Sequence, residues 1–396
     1  MNKILLGTLL LFSSAIFAQS WMPLANAVVG RHHPISFSLD GKGYAVTGTL
    51  SNGQNTDDAY EYDPITDAWT ALSKFPGTAR SFGIGTTANG LAYLGFGATS
   101  SQYLNDLWSF NAATGVWTQL ADCDCSGRRH PAMISIGNTI YVGLGDDASG
   151  DRNDWWMYDI TSDSWAQIAN LPGPPRHHPF MFNAGGEIFA GMGHSGGVIY
   201  NDWYTLNTTT NTWSAKNDFP GEARVAGQQF TLNGYGFVIS GDGDNHDYME
   251  TGEMWRYRPA TDEWLQLPSH PGESRWAPGS FVINEEVYFF GGRNRLTNVF
   301  PNDLWKFDLA AATVGIKEEA LVETEVYPNP ANGVLYWKSE LNITEVRIYN
   351  TLGQLVLLSN TQMPELNTQE LKMGVYMVQF YTNATLVNTS KVLIQH

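Results

Sequence analysis

Residues 105–120 read NDLWSFNAATGVWTQL, residues 153–168 read NDWWMYDITSDSWAQI, and residues 201–216 read NDWYTLNTTTNTWSAK. The three stretches begin 48 residues apart and share one plan. An acidic residue opens an aromatic strand, turn-forming Asn, Asp, Thr or Gly follows, and a second strand carries a tryptophan. Looser copies of the opening occur as DDAYEYD (57–63), GEMWRYR (252–258) and NDLWKFD (302–308). The tryptophan itself recurs at Trp21, Trp69, Trp117, Trp165, Trp213 and Trp264. A fixed period near 50 means one supersecondary unit copied many times.

A second set of signals runs in step with the first. Strand-like runs end in glycine at Gly48, Gly97, Gly145, Gly193, Gly241 and Gly292, each with an aromatic residue four positions earlier. An arginine stands 17 residues before every one of these glycines: Arg31, Arg80, Arg128, Arg176, Arg224 and Arg275. The offset never varies, so length changes fall after the glycine, where surface loops tolerate them. Each unit therefore holds four short antiparallel strands. Six such units predict an all-β chain built as a six-bladed propeller. The last unit lacks its tryptophan strand, and Trp21 to Leu24 supply one at the other end. The ring is thus expected to be closed by an N-terminal strand.

The glycine-ended second strand, the aromatic before it and the tryptophan about 20 residues later resemble kelch repeats over residues 20–309, assigned here as a domain spanning 19–309. The usual glycine pair of that family is kept only at Gly291-Gly292. Residues 310–324 read as a linker, and residues 325–396 as a small C-terminal β-sandwich. Its Val326-Tyr327-Pro328-Asn329-Pro330, Tyr349 with Gly353, Gly374-Val375-Tyr376 and Lys391 resemble the C-terminal sorting domain of type IX secretion. That resemblance implies contact with the secretion machinery and a secreted or cell-surface location in a Bacteroidetes-type bacterium. Residues 1–18 agree with export, since Lys3 precedes an apolar core ending at Ala18, the pattern of a signal peptide. No later apolar run is long enough for a transmembrane segment.

The chain has 396 residues and a formal net charge of −17. Nucleic acid requires a basic face, so that partner class is set aside. The only cysteines, Cys123 and Cys125, flank a single residue, a spacing expected to disfavour a disulfide and to be incidental to function. No nucleophile elbow, HExxH zinc motif, phosphate loop or dinucleotide fingerprint is present.

Six arginines opening the innermost strands are expected to crowd one mouth of the channel and receive an acidic small ligand, glycan or peptide. The competing expectation is that each pairs with an acidic neighbour: Asp58, Asp106, Asp154, Asp202, Glu253 or Asp303. Two residues after the arginines stand His33, Phe82, His130, His178, Ala226 and Ala277, expected to share the arginines' direction. Three histidines on one lip suit a transition metal or proton transfer. Trp276 nearby is a candidate ligand platform. The run Asp242, Asp244, Asn245 and Asp247 offers oxygen ligands for calcium.

The resemblance also carries an alternative function. Sialic-acid mutarotases and epimerases are six-bladed kelch proteins, and by that analogy His130 or His178 would carry the proton while arginines hold the sugar carboxylate. Galactose-oxidase-like chemistry needs a cysteine crosslinked to a tyrosine, and the location of both cysteines in one short loop disfavours it.

Overall fold

The computed structural model describes residues 21–243, 246–309, 325–339, 342–350, 355–360, 363–382 and 385–395. The expected signal peptide (1–18) and linker (310–324) lie outside the described residues. The described chain forms two compact units, and it contains no α-helix among those residues.

The first unit contains six four-stranded antiparallel sheets. Their first strands are Ile35–Leu39, Ile84–Ala88, Ala132–Ile136, Phe180–Ala184, Gln228–Leu232 and Gly279–Ile283, here sheets 1 to 6. Each is followed in space by the strand running to the repeated glycine, then by the aromatic strand, then by the tryptophan strand. Tight two-residue reversals such as Asn89-Gly90 join the first pair, with both residues at positive φ. The second strands are covered on both faces: in sheet 4, Ile188, Phe189 and Ala190 are all buried. The fourth strands keep one side in water, and Val116 beside Trp117 is 54% exposed. This gradient follows when sheets stack face to face around shared apolar layers.

Sheet 6 takes its fourth strand from the other end of the unit. Met22–Leu24 pairs antiparallel with the strand Leu304–Asp308, Met22 opposite Lys306 and Leu24 opposite Leu304. Trp21 packs on Phe289 and Phe307 and occupies the tryptophan position of that sheet. The first strands of successive sheets lie side by side, and that of sheet 6 lies beside that of sheet 1. Backbone bonds follow the same circuit: Gly48 N–H donates to Arg80 O, Gly97 to Arg128 O, Gly145 to Arg176 O, Gly241 to Arg275 O and Gly292 to Arg31 O. These glycines have positive φ, and a Cβ on Gly97 would sit 2.4 Å from Ser81 O. Glycine is therefore required by both conformation and space.

The second unit is all β. The strand Glu325–Asn332 belongs to two ladders, pairing with Val334–Lys338 on one side and, through Ala331 and Ile394, in parallel with Thr385–Ile394. The strands enclose Leu335, Trp337, Val346, Ile348, Val378, Phe380 and Val392.

One expectation fails locally. Cys123 and Cys125 are joined as a disulfide, their Cα atoms 5.0 Å apart. That separation lies within the range a disulfide spans, because the chain curls between them in a loop buried against sheets 2 and 3.

Candidate functional site

The six arginines do not form a free cationic ring. Their side chains turn into the protein, where Arg80, Arg128, Arg176 and Arg224 are completely buried. Each meets the carboxylate that opens the third strand of its own sheet. Arg128 is the pattern: Nη1 and Nη2 donate to the two oxygens of Asp154 at 2.8 and 3.0 Å, and Nη1 also donates to Leu144 O. Arg31 with Asp58, Arg80 with Asp106, Arg176 with Asp202 and Arg275 with Asp303 repeat it. Arg224 pairs with Glu253, and its Nη1 is buried without a partner. The same carboxylates accept an indole N–H in four sheets, from Trp108, Trp156, Trp255 and Trp305. A guanidinium with its donors spent this way has little left for an external anion. The expectation of an arginine-lined receptor is corrected in favour of internal staples.

The correction has a backbone cause. His33, Phe82, His130, His178, Ala226 and Ala277 all adopt positive φ, between 48° and 65°. Strand alternation breaks at that residue, so the arginine faces the sheet interior and the residue two positions later lines a shared cavity. The six residues form a ring there: His33 N–H donates to Ala277 O, His130 to Phe82 O, and Ala277 to Ala226 O. Together with the residues that follow them, they line a small cavity of about 80 Å³.

Between arginine and ring residue lies one more position, and each residue there bridges to the residue just after the repeated glycine. The pairs are His32 with Thr49, Ser81 with Ala98, Arg129 with Asp146, His177 with His194, Val225 with Asp242, and Trp276 with Arg293. These slots vary from sheet to sheet, and they carry the chemistry of this face. His32, His33, His130, His177, His178, His194 and His246, out of nine histidines in the chain, meet here through ring contacts.

The contacts among these rings are polar as well as steric. His33 Nε2 lies 3.3 Å from His178 Nε2, and His33 Nδ1 lies 2.7 Å from His32 Nδ1. His178 Nδ1 is 3.2 Å from His194 Nε2. His130 Nδ1 is 3.3 Å from Asp146 Oδ1, and its Nε2 is buried without a partner. Asp146 in turn accepts from Arg129, and His177 Nδ1 lies 2.5 Å from Asp151 Oδ1. Burial, followed by neighbouring histidines, holds His33, His130 and His178 well below the usual imidazole range. Desolvation also lowers His32 to about 4 and His194 to about 3. The central rings are therefore neutral at pH 7 and offer lone pairs instead of positive charge.

The opposite side of the mouth belongs to sheets 5 and 6. Arg295 stacks over Trp276, with its guanidinium carbon 5.4 Å from the ring centroid. Its Nε lies 3.3 Å from Asp242 Oδ2, and its Nη2 donates to His246 O. Arg293 donates to Asn298 Oδ1 and has no ion pair among the described residues. Asp242 is fully buried, and neither carboxylate oxygen has a hydrogen-bond partner. Burial pushes its carboxyl up to about 7, against the opposing pull of Arg295 and Arg293. Of the expected calcium ligands, Asp244 and Asn245 lie outside the described residues. Asp247 uses its backbone carbonyl to accept Gly243 N–H, and Asp242 Oδ2 faces the Arg295 guanidinium.

The alignment that reveals His33, His130 and His178 leaves out Asp146, His177, His194, Arg293 and Arg295. A signal existed: the residues next to an invariant arginine or glycine vary among the copies. Residues 122–292 match the KLHDC2/KLHL20/DRC7 Kelch-repeats domain, and residues 325–395 match the Secretion system C-terminal sorting domain. No curated protein matches the chain. The chain thus carries a Kelch-repeat domain and a type IX sorting tail that implies secretion or display on the cell surface of a Bacteroidetes-type bacterium.

Proposed function

We propose that residues 21–309 are a closed six-bladed propeller, exported with its sorting tail, whose varied mouth binds a small acidic ligand such as an acidic sugar. The pairing of Met22–Leu24 with Leu304–Lys306 and the bond from Gly292 to Arg31 support closure. One observation carries the ligand reading: two guanidiniums gather at Trp276 on the sheet 6 side of the mouth, Arg295 stacked on its ring and Arg293 paired with its backbone, and Arg293 has no ion pair among the described residues. An acidic monosaccharide offers the matching feature, a carboxylate for such cations to hold. The six repeated arginines take no part in this.

The test is calorimetric titration of the full exported chain with glucuronate and N-acetylneuraminate, with glucose as the neutral control. Binding of an acid but not of glucose, weakened at least tenfold in an Arg293→Gln, Arg295→Gln double variant, is the expected result. Equal affinity in that variant defeats the reading.

A second reading, a sugar-acting enzyme, is favoured by Asp242. A buried carboxyl poised near 7 has the proton affinity that acid–base work requires. In that case Asp242→Asn removes turnover of an acidic sugar while binding persists. His130 and His178, buried and neutral, are less suited to that role than the sequence suggested.

A further inference from the structure

We propose that Nε2 of His33, His130 and His178 together bind one divalent transition-metal ion of the zinc, copper or nickel class. One ring nitrogen from each residue lies within 4.8 Å of the others. His33 Nε2 and His178 Nε2 are 3.3 Å apart. Two imidazole nitrogens, each about 2.0–2.1 Å from a tetrahedral ion, are separated by about 3.3 Å. The spacing is that of ligands on a shared centre.

The outer contacts point the same way. Each of the three rings has its Nδ1 engaged: His33 with His32, His130 with Asp146, His178 with His194. Metal-bound histidines characteristically donate their second nitrogen to a carboxylate or other acceptor, which fixes tautomer and orientation. If all three Nδ1 atoms donate, all three Nε2 lone pairs are left without hydrogen, and the His130 and His178 rings, 3.6 Å apart between centroids, part slightly to admit one ion. His130 Nε2, buried and without a partner, is the atom whose deficit such an ion repairs. The other two groupings, His177 with His178 and His194, and His130 with Asp146 and His177, each share one ring with this trio.

Imidazole nitrogens select zinc, copper or nickel over calcium or magnesium, which prefer oxygen. The three remaining ring positions, Phe82, Ala226 and Ala277, offer no ligand. The alanines leave room, so the ion keeps an open coordination position toward the cavity. Three protein ligands with one position free is the arrangement of a metal that handles water or a ligand, as opposed to one that only braces a fold. This inference uses different residues from the acidic-ligand site and stands without it.

The experiment takes the full exported chain, produced without a histidine tag and stripped with chelator, and titrates it with zinc by calorimetry. Cobalt uptake is followed in parallel by visible absorption. One zinc per chain and ligand-field bands of a four- or five-coordinate cobalt are expected. His130→Ala and His178→Ala each lower zinc affinity at least 100-fold. Both changes fit the backbone, since alanine occupies the same positive-φ ring position in sheets 5 and 6. Asp146→Asn, which leaves all three ligands in place, lowers affinity about 10- to 100-fold. Arg293→Gln leaves it intact, which separates this site from the sugar site. The proposal is overturned if the stripped protein takes up none of zinc, copper or nickel, or if a triple alanine variant at His33, His130 and His178 binds as tightly as the native chain. It is equally overturned if Asp146→Asn changes nothing.

Discussion

Arg128 and Arg129 are neighbours in the chain and opposites in behaviour. Arg128 is buried, saturated by Asp154 and Leu144, and has a counterpart in every sheet. Arg129 is partly exposed at the mouth, bound to Asp146, and its five equivalents are His32, Ser81, His177, Val225 and Trp276. The first slot is held constant because each sheet needs the same internal tie. The second takes no part in that tie, so its identity can change without losing the arginine–carboxylate pair. Chemistry collects where the repeat permits variation.

The sharpest way to break this comparison is to open a tie. Asp154→Ala leaves Arg128 buried and uncompensated, and a loss of about 3–5 kcal/mol is expected in denaturant unfolding. His178→Ala, in the metal-free protein, is expected to cost under about 1 kcal/mol because sheets 5 and 6 already carry alanine there. Comparable losses at both sites would dissolve the distinction between frame and mouth.

A second prediction concerns Asp242, a mouth residue buried as deeply as any tie. Its folded-state pKa of about 7 stands above the ordinary 3.8. A carboxyl raised in this way stabilises the fold fully below about pH 4 and loses that contribution as pH rises through 7. The native chain should lose up to about 4 kcal/mol from this group between pH 4 and pH 8. In Asp242→Asn that slope should flatten, as read from unfolding midpoints across the same pH range. An unchanged slope would mean that the carboxylate is accommodated, and the enzyme reading loses its support.

The smallest effect separates one tie from another. Arg224 meets Glu253 with a single guanidinium nitrogen, and its Nη1 has no partner. Arg128 uses both terminal nitrogens on both carboxylate oxygens. Replacement by lysine, which cannot reproduce the fork, should therefore cost about 1 kcal/mol less in Arg224→Lys than in Arg128→Lys. Equal costs would show that the fork contributes little beyond its charge.

Much of the frame was legible because its signals are periodic. The invariant arginine-to-glycine spacing predicts paired strands, and the missing tryptophan after Asp308 predicts the use of Trp21 to Leu24. The orientation of the arginines was not legible. It depends on a left-handed backbone at His33, Phe82, His130, His178, Ala226 and Ala277, where no glycine advertises it. Alternation would send the arginine and the residue two positions later the same way, and one unusual dihedral reverses that. The histidine ring was legible as a set of residues but not as a network, since its partners Asp146 and His194 arrive from the far side of each glycine. The Cys123–Cys125 bridge was missed because the local curl that brings the two Cα atoms together leaves no mark in the spacing.

The pairing of Met22–Leu24 with Leu304–Lys306 sets an order of events during folding. A chain emerging from its N-terminal end must carry Trp21 and the three strand residues unpaired until some 280 later residues have followed. Tethering two points so distant costs only slowly more entropy as the intervening length grows, yet it delays the last sheet until nearly everything else is in place. A premature stop anywhere before Leu304 leaves the first strand with nothing to join.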